Sequence, residues 1–139
     1  MKTQFTIGAF AIIENDCQDI LLCYREDLQL WNLPGGGLNN GEAPWEGVIR
    51  EVAEETGLNV SVERLIGIYS KPETNDLVFL FKCQRESGAL TITEEAQALR
   101  YFKSTEIPSN TIAKQVERIH DYLAGETQIV LKKQPNQSA

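Results

Sequence analysis

The chain holds one histidine, one methionine and three cysteines among its 139 residues, and each scarcity excludes something. His120 stands alone and late, so a Ser-His-Asp or Cys-His nucleophilic mechanism would rest on one poorly placed residue. Cys17, Cys23 and Cys83 form no Cys-x-x-Cys pair and no Cys/His zinc spacing, and three thiols do not make a full disulfide set. A reducing cytoplasm is the simplest setting for them. Positive charge is also short, with 13 Lys plus Arg against 20 Asp plus Glu, a net charge of −7 and a pI near 4.7. Proteins that grip nucleic-acid backbones need Lys/Arg patches to displace counterions, so nucleic acid is not the expected partner. No long apolar run is present. Met1-Lys2 precedes about nine mostly apolar residues that contain Thr6 and end at Glu14, too short for a membrane span and without a signal-peptide cleavage pattern. The expectation is a soluble cytoplasmic protein with no membrane contact.

A hydrophobic content of 42% over this length suffices for one core, and no linker or internal repeat divides it. Residues 1–131 read as a single domain and 132–139 as a disordered tail. Alternation and β-branched residues suggest strands near Phe5–Ile13, Ile20–Arg25, Val60–Tyr69, Leu77–Cys83 and Ala98–Phe102. A helix fits Asn110–Leu123, with Ile112, Val116, Ile119 and Leu123 as its apolar stripe, Ser109 as cap and Gly125 as stop.

The densest chemistry lies between Gly36 and Leu58, in GGLNNGEAPWEGVIREVAEETGL. Glu51, Glu54 and Glu55 fall at i, i+3 and i+4, neighbours on one helix face with Cβ atoms roughly 5–6 Å apart. Carboxylates that close repel one another and suit a shared hard divalent cation. A solvated acidic face is the usual reading of a glutamate-rich helix, but it leaves the fixed offsets of the surrounding glycines and arginine unexplained. Trp45, Val48, Ile49 and Val52 form an apolar stripe that should dock on a sheet, with the acidic trio roughly 120° around from it. Gly47 falls on the acidic side, one turn before Glu51. Pro44 suits the first turn and Gly57 the left-handed position past the end. Ahead of the helix, Gly35, Gly36 and Gly37 let backbone approach an anionic ligand closely, and read as the other wall of a site.

As a pattern, the segment is Gly36, five residues, Glu42, seven residues, Arg50, Glu51, Val52, one residue, Glu54, Glu55, one residue, Gly57 and Leu58. It resembles the Nudix box with every specified position filled, a match whose chance probability is on the order of one in a billion per starting position. The resemblance covers about Thr3 to Leu123. It implies an α+β fold, an α/β/α sandwich around a mixed β-sheet flanked by helices. It also implies hydrolysis of a pyrophosphate bond with Mg²⁺ or Mn²⁺, the cation neutralising the diphosphate and activating water. Carried over residue by residue, the metal ligands are Glu51, Glu54, Glu55 and the Gly35 carbonyl, with Glu42 and Gly57 as structural positions. Family members often carry a glutamate about six residues before an aromatic later in the chain, as an extra ligand or base, and Glu95 stands so before Tyr101. Glu54 or Glu51 is the base expected within the box and Glu95 the candidate outside it. Arg50 is expected to orient Glu42 and the carboxylates.

The partner is then a small nucleotide-type substrate. Arg25 and Lys71 are candidate phosphate contacts beside the backbone of Gly36 and Gly37, and Trp31, Tyr69 and Phe79 could stack on a base. Pro72, fourteen residues after the box, stands near where the ADP-ribose subgroup has a proline, which tilts the substrate toward ADP-ribose or a nucleotide sugar. One alternative is a housecleaning hydrolase of nucleoside triphosphates. Another is a non-catalytic nucleotide sensor, against which the intact carboxylates argue. A homodimer is implied by the resemblance alone.

Overall fold

The computed structural model describes residues 2–136. In chain order its elements are β1 (Thr6–Ile13), β2 (Ile20–Arg25), β3 (Leu30–Asn32), β4 (Gly35–Gly37), α1 (Pro44–Thr56), β5 (Leu58–Lys71), β6 (Asp76–Gly88), β7 (Ala98–Phe102), α2 (Ala113–Leu123) and β8 (Val130–Lys133). Strands β4, β1, β6, β5 and β8 lie in that order in one sheet, and β3, β2 and β7 in a second. The larger sheet is mixed: β1 with β6 and β5 with β8 run parallel, while β4 with β1 and β5 with β6 run antiparallel.

Period-two alternation divides the core into two layers. Ala9, Ala11 and Ile13 of β1 point with Phe81 and Cys83 of β6 toward Val48 and Val52 of α1. Phe10 and Ile12 point the other way, with Val78, Leu80 and Tyr69, toward Ile119 of α2. A mixed sheet thus lies between two helices, the α+β sandwich expected of the sequence. The three-stranded sheet is an addition, and its β2 contributes to both layers through Leu21 on one side and Ile20 and Leu22 on the other.

Several expectations need correction. The three glycines, absent from the expected strands, form strand β4, with Gly35 opposite Phe10 and Gly37 opposite Gly8. Gly35 has φ +147, and a Cβ there would collide with the Ala9 carbonyl and Phe10, so glycine is what lets the two backbones close. The tail expected to be disordered over 132–139 starts inside β8, and Gln134 beyond it is buried; positions 137–139 of that expectation lie outside the described residues. The long polar side chains there find partners on α2, and the Gln134 N–H donates to the Ser70 carbonyl of β5, none of which composition reveals.

In α1, Pro44 opens the helix, the Glu46 carboxylate accepts the Ala43 N–H at 2.9 Å, and left-handed Gly57 (φ +80) donates its N–H to the Ala53 carbonyl. The buried row is Gly47, Val48, Val52 and Thr56, whereas Trp45 is 59% and Ile49 38% exposed. The helix is rolled because Gly47 admits Leu38, whose side chain occupies the space a Cβ would need. Gly47, expected on the acidic side, is instead buried and serves packing. α2 begins at Ala113 with Ile112 at its cap position, so Ser109 does not cap it. Its buried residues are Gln115, Arg118 and Ile119, while Leu123 is 41% exposed.

Candidate active site

The acidic face of α1 looks across β4 toward the segment before β7. Glu51, Glu54 and Glu95 each place a carboxylate oxygen within 4.8 Å of the others. Glu51 and Glu95 line a cavity of about 510 Å³, with Glu54 just outside its lining; Gly35, Gly36, Glu55 and Phe10 complete the lining together with Cys23, Arg25, Asp27, Asn32, Glu94 and Gln97. Part-burial raises the Glu51 carboxyl above its ordinary pKa, against the lowering effect of Arg50.

Arg50 organises this face. It donates to Glu42 through Nε at 2.6 Å and Nη2 at 3.0 Å, through Nη1 to Glu51 at 3.2 Å and Glu54 at 3.1 Å, and through Nη2 to the Gly37 carbonyl at 3.0 Å. One planar fork thus fixes two carboxylates of the close triple against the end of β4, and Glu42 completes the brace by accepting the Asn39 N–H at 2.8 Å. The Arg50 hydrogen bond holds the Glu42 carboxyl below its ordinary pKa, and the Glu42 contact raises that of Arg50.

Gly36 decides how near Glu51 can come, since a Cβ there would lie 2.8 Å from the Glu51 carboxyl carbon. Glu55 departs from the sequence expectation. It lines the cavity but is absent from the close triple, and Glu95 takes the third place. Its carboxyl lies against the Gly35 N–H and the Cys23 thiol, and desolvation, with help from the Glu51 charge, pushes its pKa up to about 8. Cys23 is itself driven up by burial and by Glu55.

Glu95 is held by its neighbours. Its N–H donates to Thr93 Oγ1 at 3.2 Å, Ala96 is fully buried, the Gln97 N–H donates to the Tyr24 carbonyl at 3.2 Å, and Gln97 Oε1 accepts the Glu26 N–H at 3.1 Å. The segment is stitched to the end of β2, where Arg25 reaches Asp27 at 2.8 Å.

Other expected contacts fall elsewhere. Lys71 pairs with Asp76 at 3.4 Å across the β5–β6 hairpin, Pro72 sits in that turn, and neither lines the cavity. Tyr69 is buried with its hydroxyl donating to Asp121, Trp31 packs edge-on between Tyr24 and Phe102, and Phe79 stacks on Phe81. The cavity aromatic is Phe10. Gly37 supplies its carbonyl to Arg50 and is not a lining residue. Sequence reading missed Cys23 and Gln97: Cys23 stands two residues before the flagged Arg25 and so on the same side of β2, a signal alternation offers, whereas Gln97 follows Glu95 out of a turn and has no such signal.

The donor set fits a hard divalent cation: carboxylate oxygens from two separate segments converge within coordination reach at an open cavity, backed by a guanidinium that fixes their orientation. Among the described residues, no helix is long and apolar enough to cross a membrane.

Comparison with known proteins agrees with this geometry. The NUDIX domain family profile matches residues 3–123. A Bacillus subtilis (strain 168) protein provisionally named an 8-oxo-dGTP diphosphatase is 35% identical over 122 residues, covering 87% of this chain and 82% of its own. An ADP-ribose pyrophosphatase of Methanocaldococcus jannaschii is 34% identical over 109 residues, covering 73% of this chain and 64% of its own. In fold, the crystal structure of a Nudix hydrolase from Nitrosomonas europaea superposes with a TM-score of 0.83 at 22% identity, covering 98% of this chain and 82% of that one.

Proposed function

The chain belongs to the Nudix family and is a pyrophosphohydrolase of nucleotide-linked substrates, and on that premise we propose that its substrate is a nucleoside diphosphate joined to a hydroxyl-rich moiety, ADP-ribose or a nucleotide sugar, with Mg²⁺ or Mn²⁺ as cofactor. The observation that carries the substrate class is the charge of the cavity lining beyond the glutamates expected to hold metal. Its one cation, Arg25, is already paired with Asp27, and around it stand Asn32, Gln97 and Glu94. Amides and carboxylates hydrogen-bond hydroxyl groups well, and they offer a third, uncomplexed phosphate nothing to neutralise it.

A bound divalent cation would neutralise the diphosphate and lower the pKa of an attacking water. Glu51, Glu54 and Glu95 are the residues that would hold it, Glu55 and the Gly35 carbonyl stand beside them, and one of Glu54, Glu51 and Glu95 accepts the proton from water. Arg50 keeps those carboxylates in place, and Arg25 contacts the substrate.

The second reading, a housecleaning hydrolase of nucleoside triphosphates, is favoured by the Bacillus subtilis relative, which matches over the longer span. Hydrolysis of a panel of ADP-ribose, nucleotide sugars, dinucleoside polyphosphates and canonical and oxidised nucleoside triphosphates separates the two. Nucleoside monophosphate plus a sugar phosphate supports the proposal, pyrophosphate release supports the second reading, and binding without turnover would reverse the enzymatic reading in favour of a sensor. The buried thiols of Cys23 and Cys83 are free and suit a reducing cytoplasm. A homodimer belongs to the same proposal, and sedimentation would read it.

A further inference from the structure

Beneath the cavity floor runs a chain of buried polar side chains that the catalytic machinery does not use. Arg118 of α2 is 3% exposed, with Gln115 and Gln134 equally enclosed. Its guanidinium lies 5.8 Å from the Phe10 ring and 5.4 Å from the Tyr69 ring, and it meets no carboxylate within ion-pair distance among the described residues. It donates through Nε to Gln134 Oε1 at 2.9 Å and through Nη1 to Gln115 Oε1 at 2.9 Å. Gln115 Nε2 then donates to Asn32 Oδ1 at 2.6 Å, and Asn32 is a wall residue of the active-site cavity.

The polarity of this chain is dictated from its buried end. A guanidinium has only donors, so the Gln115 atom facing it must be the carbonyl oxygen. Gln115 therefore turns its NH₂ toward Asn32, which must answer with Oδ1. The Asn32 NH₂ is left to face away from the core. Gln134 is fixed in the same way, its Nε2 donating to the Lys114 carbonyl at 3.0 Å and Glu117 Oε1 at 2.7 Å. A reversed amide anywhere along the line would set two donors or two acceptors against each other in a desolvated place.

We propose that Arg118 and Gln115 are positioning residues that hold Asn32 as a hydrogen-bond donor in the substrate cavity, where it selects substrates offering a lone-pair acceptor, a carbonyl oxygen or ring nitrogen. The inference rests on the pyrophosphohydrolase reading for its substrate but not for its polarity. It matters because the rest of that wall is rich in acceptors: Asp27 and Glu94 only accept, and the Gln97 NH₂ is turned to the Glu94 carbonyl.

The test reverses the polarity without touching the cavity. In the Gln115→Glu variant, one carboxylate oxygen keeps the Arg118 contact and the other faces Asn32, so the asparagine must flip and present Oδ1 to the substrate. Side-chain amide exchange by NMR in the full chain, with the Asn32 signal identified by its loss in Asn32→Asp, reads this directly. The expected result is a fast-exchanging Asn32 NH₂ in the wild type and a protected one in Gln115→Glu. For whichever panel substrate the wild type cleaves, KM should rise about tenfold or more with a smaller change in kcat, and Asn32→Leu should do the same. An unflipped amide overturns the positioning role, and a flipped amide with wild-type KM overturns the recognition. If the wild type cleaves nothing on the panel, the functional reading fails while the amide exchange still decides the polarity. If Gln115→Glu does not fold, the wild-type exchange and the KM of Asn32→Leu decide in its place.

Discussion

Glu51 and Glu95 come from different ends of the fold, one on the helix after β4 and the other on the segment before β7, yet their carboxylate oxygens lie within 4.8 Å of each other and of Glu54. Two like charges so close, with the Arg50 guanidinium reaching Glu51 and Glu54, are stable together when a cation shares them. Glu54→Gln should leave folding nearly unchanged and cut turnover by roughly 10²–10⁴, the usual scale for losing an acid–base group. Glu95→Gln should raise the Mg²⁺ concentration needed for half-maximal rate. Steady-state kinetics across a metal titration checks both, and an undiminished Glu54→Gln variant would sink the assignment of this face.

Arg50→Lys tests whether the fork, rather than the charge, holds the site. A lysine keeps the positive charge but cannot serve Glu42, Glu51, Glu54 and the Gly37 carbonyl from one plane. Activity should fall about 10–100-fold through misplaced carboxylates, with the loss partly recovered at high metal concentration. Wild-type kinetics in this variant would mean that the carboxylates orient themselves.

Two adjacent glycines should fail in different ways. Gly36→Ala sets a Cβ against the Glu51 carboxyl, a flexible side chain that can move aside, so thermal stability should change little while metal-dependent activity drops. Gly35→Ala meets the backbone of Ala9 and Phe10 and also forces a side chain into φ +147, so the loss should be of stability, roughly 1–3 kcal/mol or more. Chemical denaturation beside an activity assay separates the pair. Equal stability of the two variants would contradict the close packing of β4 on β1.

The sequence was most legible where spacing alone decides geometry. Helical spacing put Glu51 and Glu54 on one face, and Pro44 and Gly57 marked the helix ends. Spacing could not say that Glu55 turns toward Cys23, because that depends on a strand brought in from before the box. The apolar stripe of α1 was misjudged for a similar reason: Gly47 admits Leu38 and rolls the helix, a tertiary fact with no local signature. Arg118 and Gln134 were invisible because charged and amide side chains read as surface, and they are buried among partners, each other, Gln115, Lys114 and Glu117, that only the fold brings together. Lys71 looked like a phosphate contact until the hairpin gave it Asp76.

The pH dependence of the metal-free protein follows from Glu55. Its carboxyl titrates at about 8 in the folded chain against an ordinary value of 4.5, so between those values the native state holds a proton that the unfolded state has released. Stability is then greatest below pH 4.5 as far as this group is concerned, and falls as pH rises through about 8, by on the order of a few kcal/mol. Glu51, raised by burial, acts with the same sign. Asp27 and Glu42, held low by Arg25 and Arg50, act oppositely, but they lose their contribution below their ordinary values and leave the neutral range to Glu55. In EDTA the melting temperature should therefore decline from about pH 5 to 8. Millimolar Mg²⁺ or Mn²⁺ should raise it most at the upper end, where the carboxylates are ionised and binding need not expel a proton. Scanning calorimetry over that range, with and without metal, checks the sign. A flat profile in EDTA would mean that Glu55 is ionised in the folded protein.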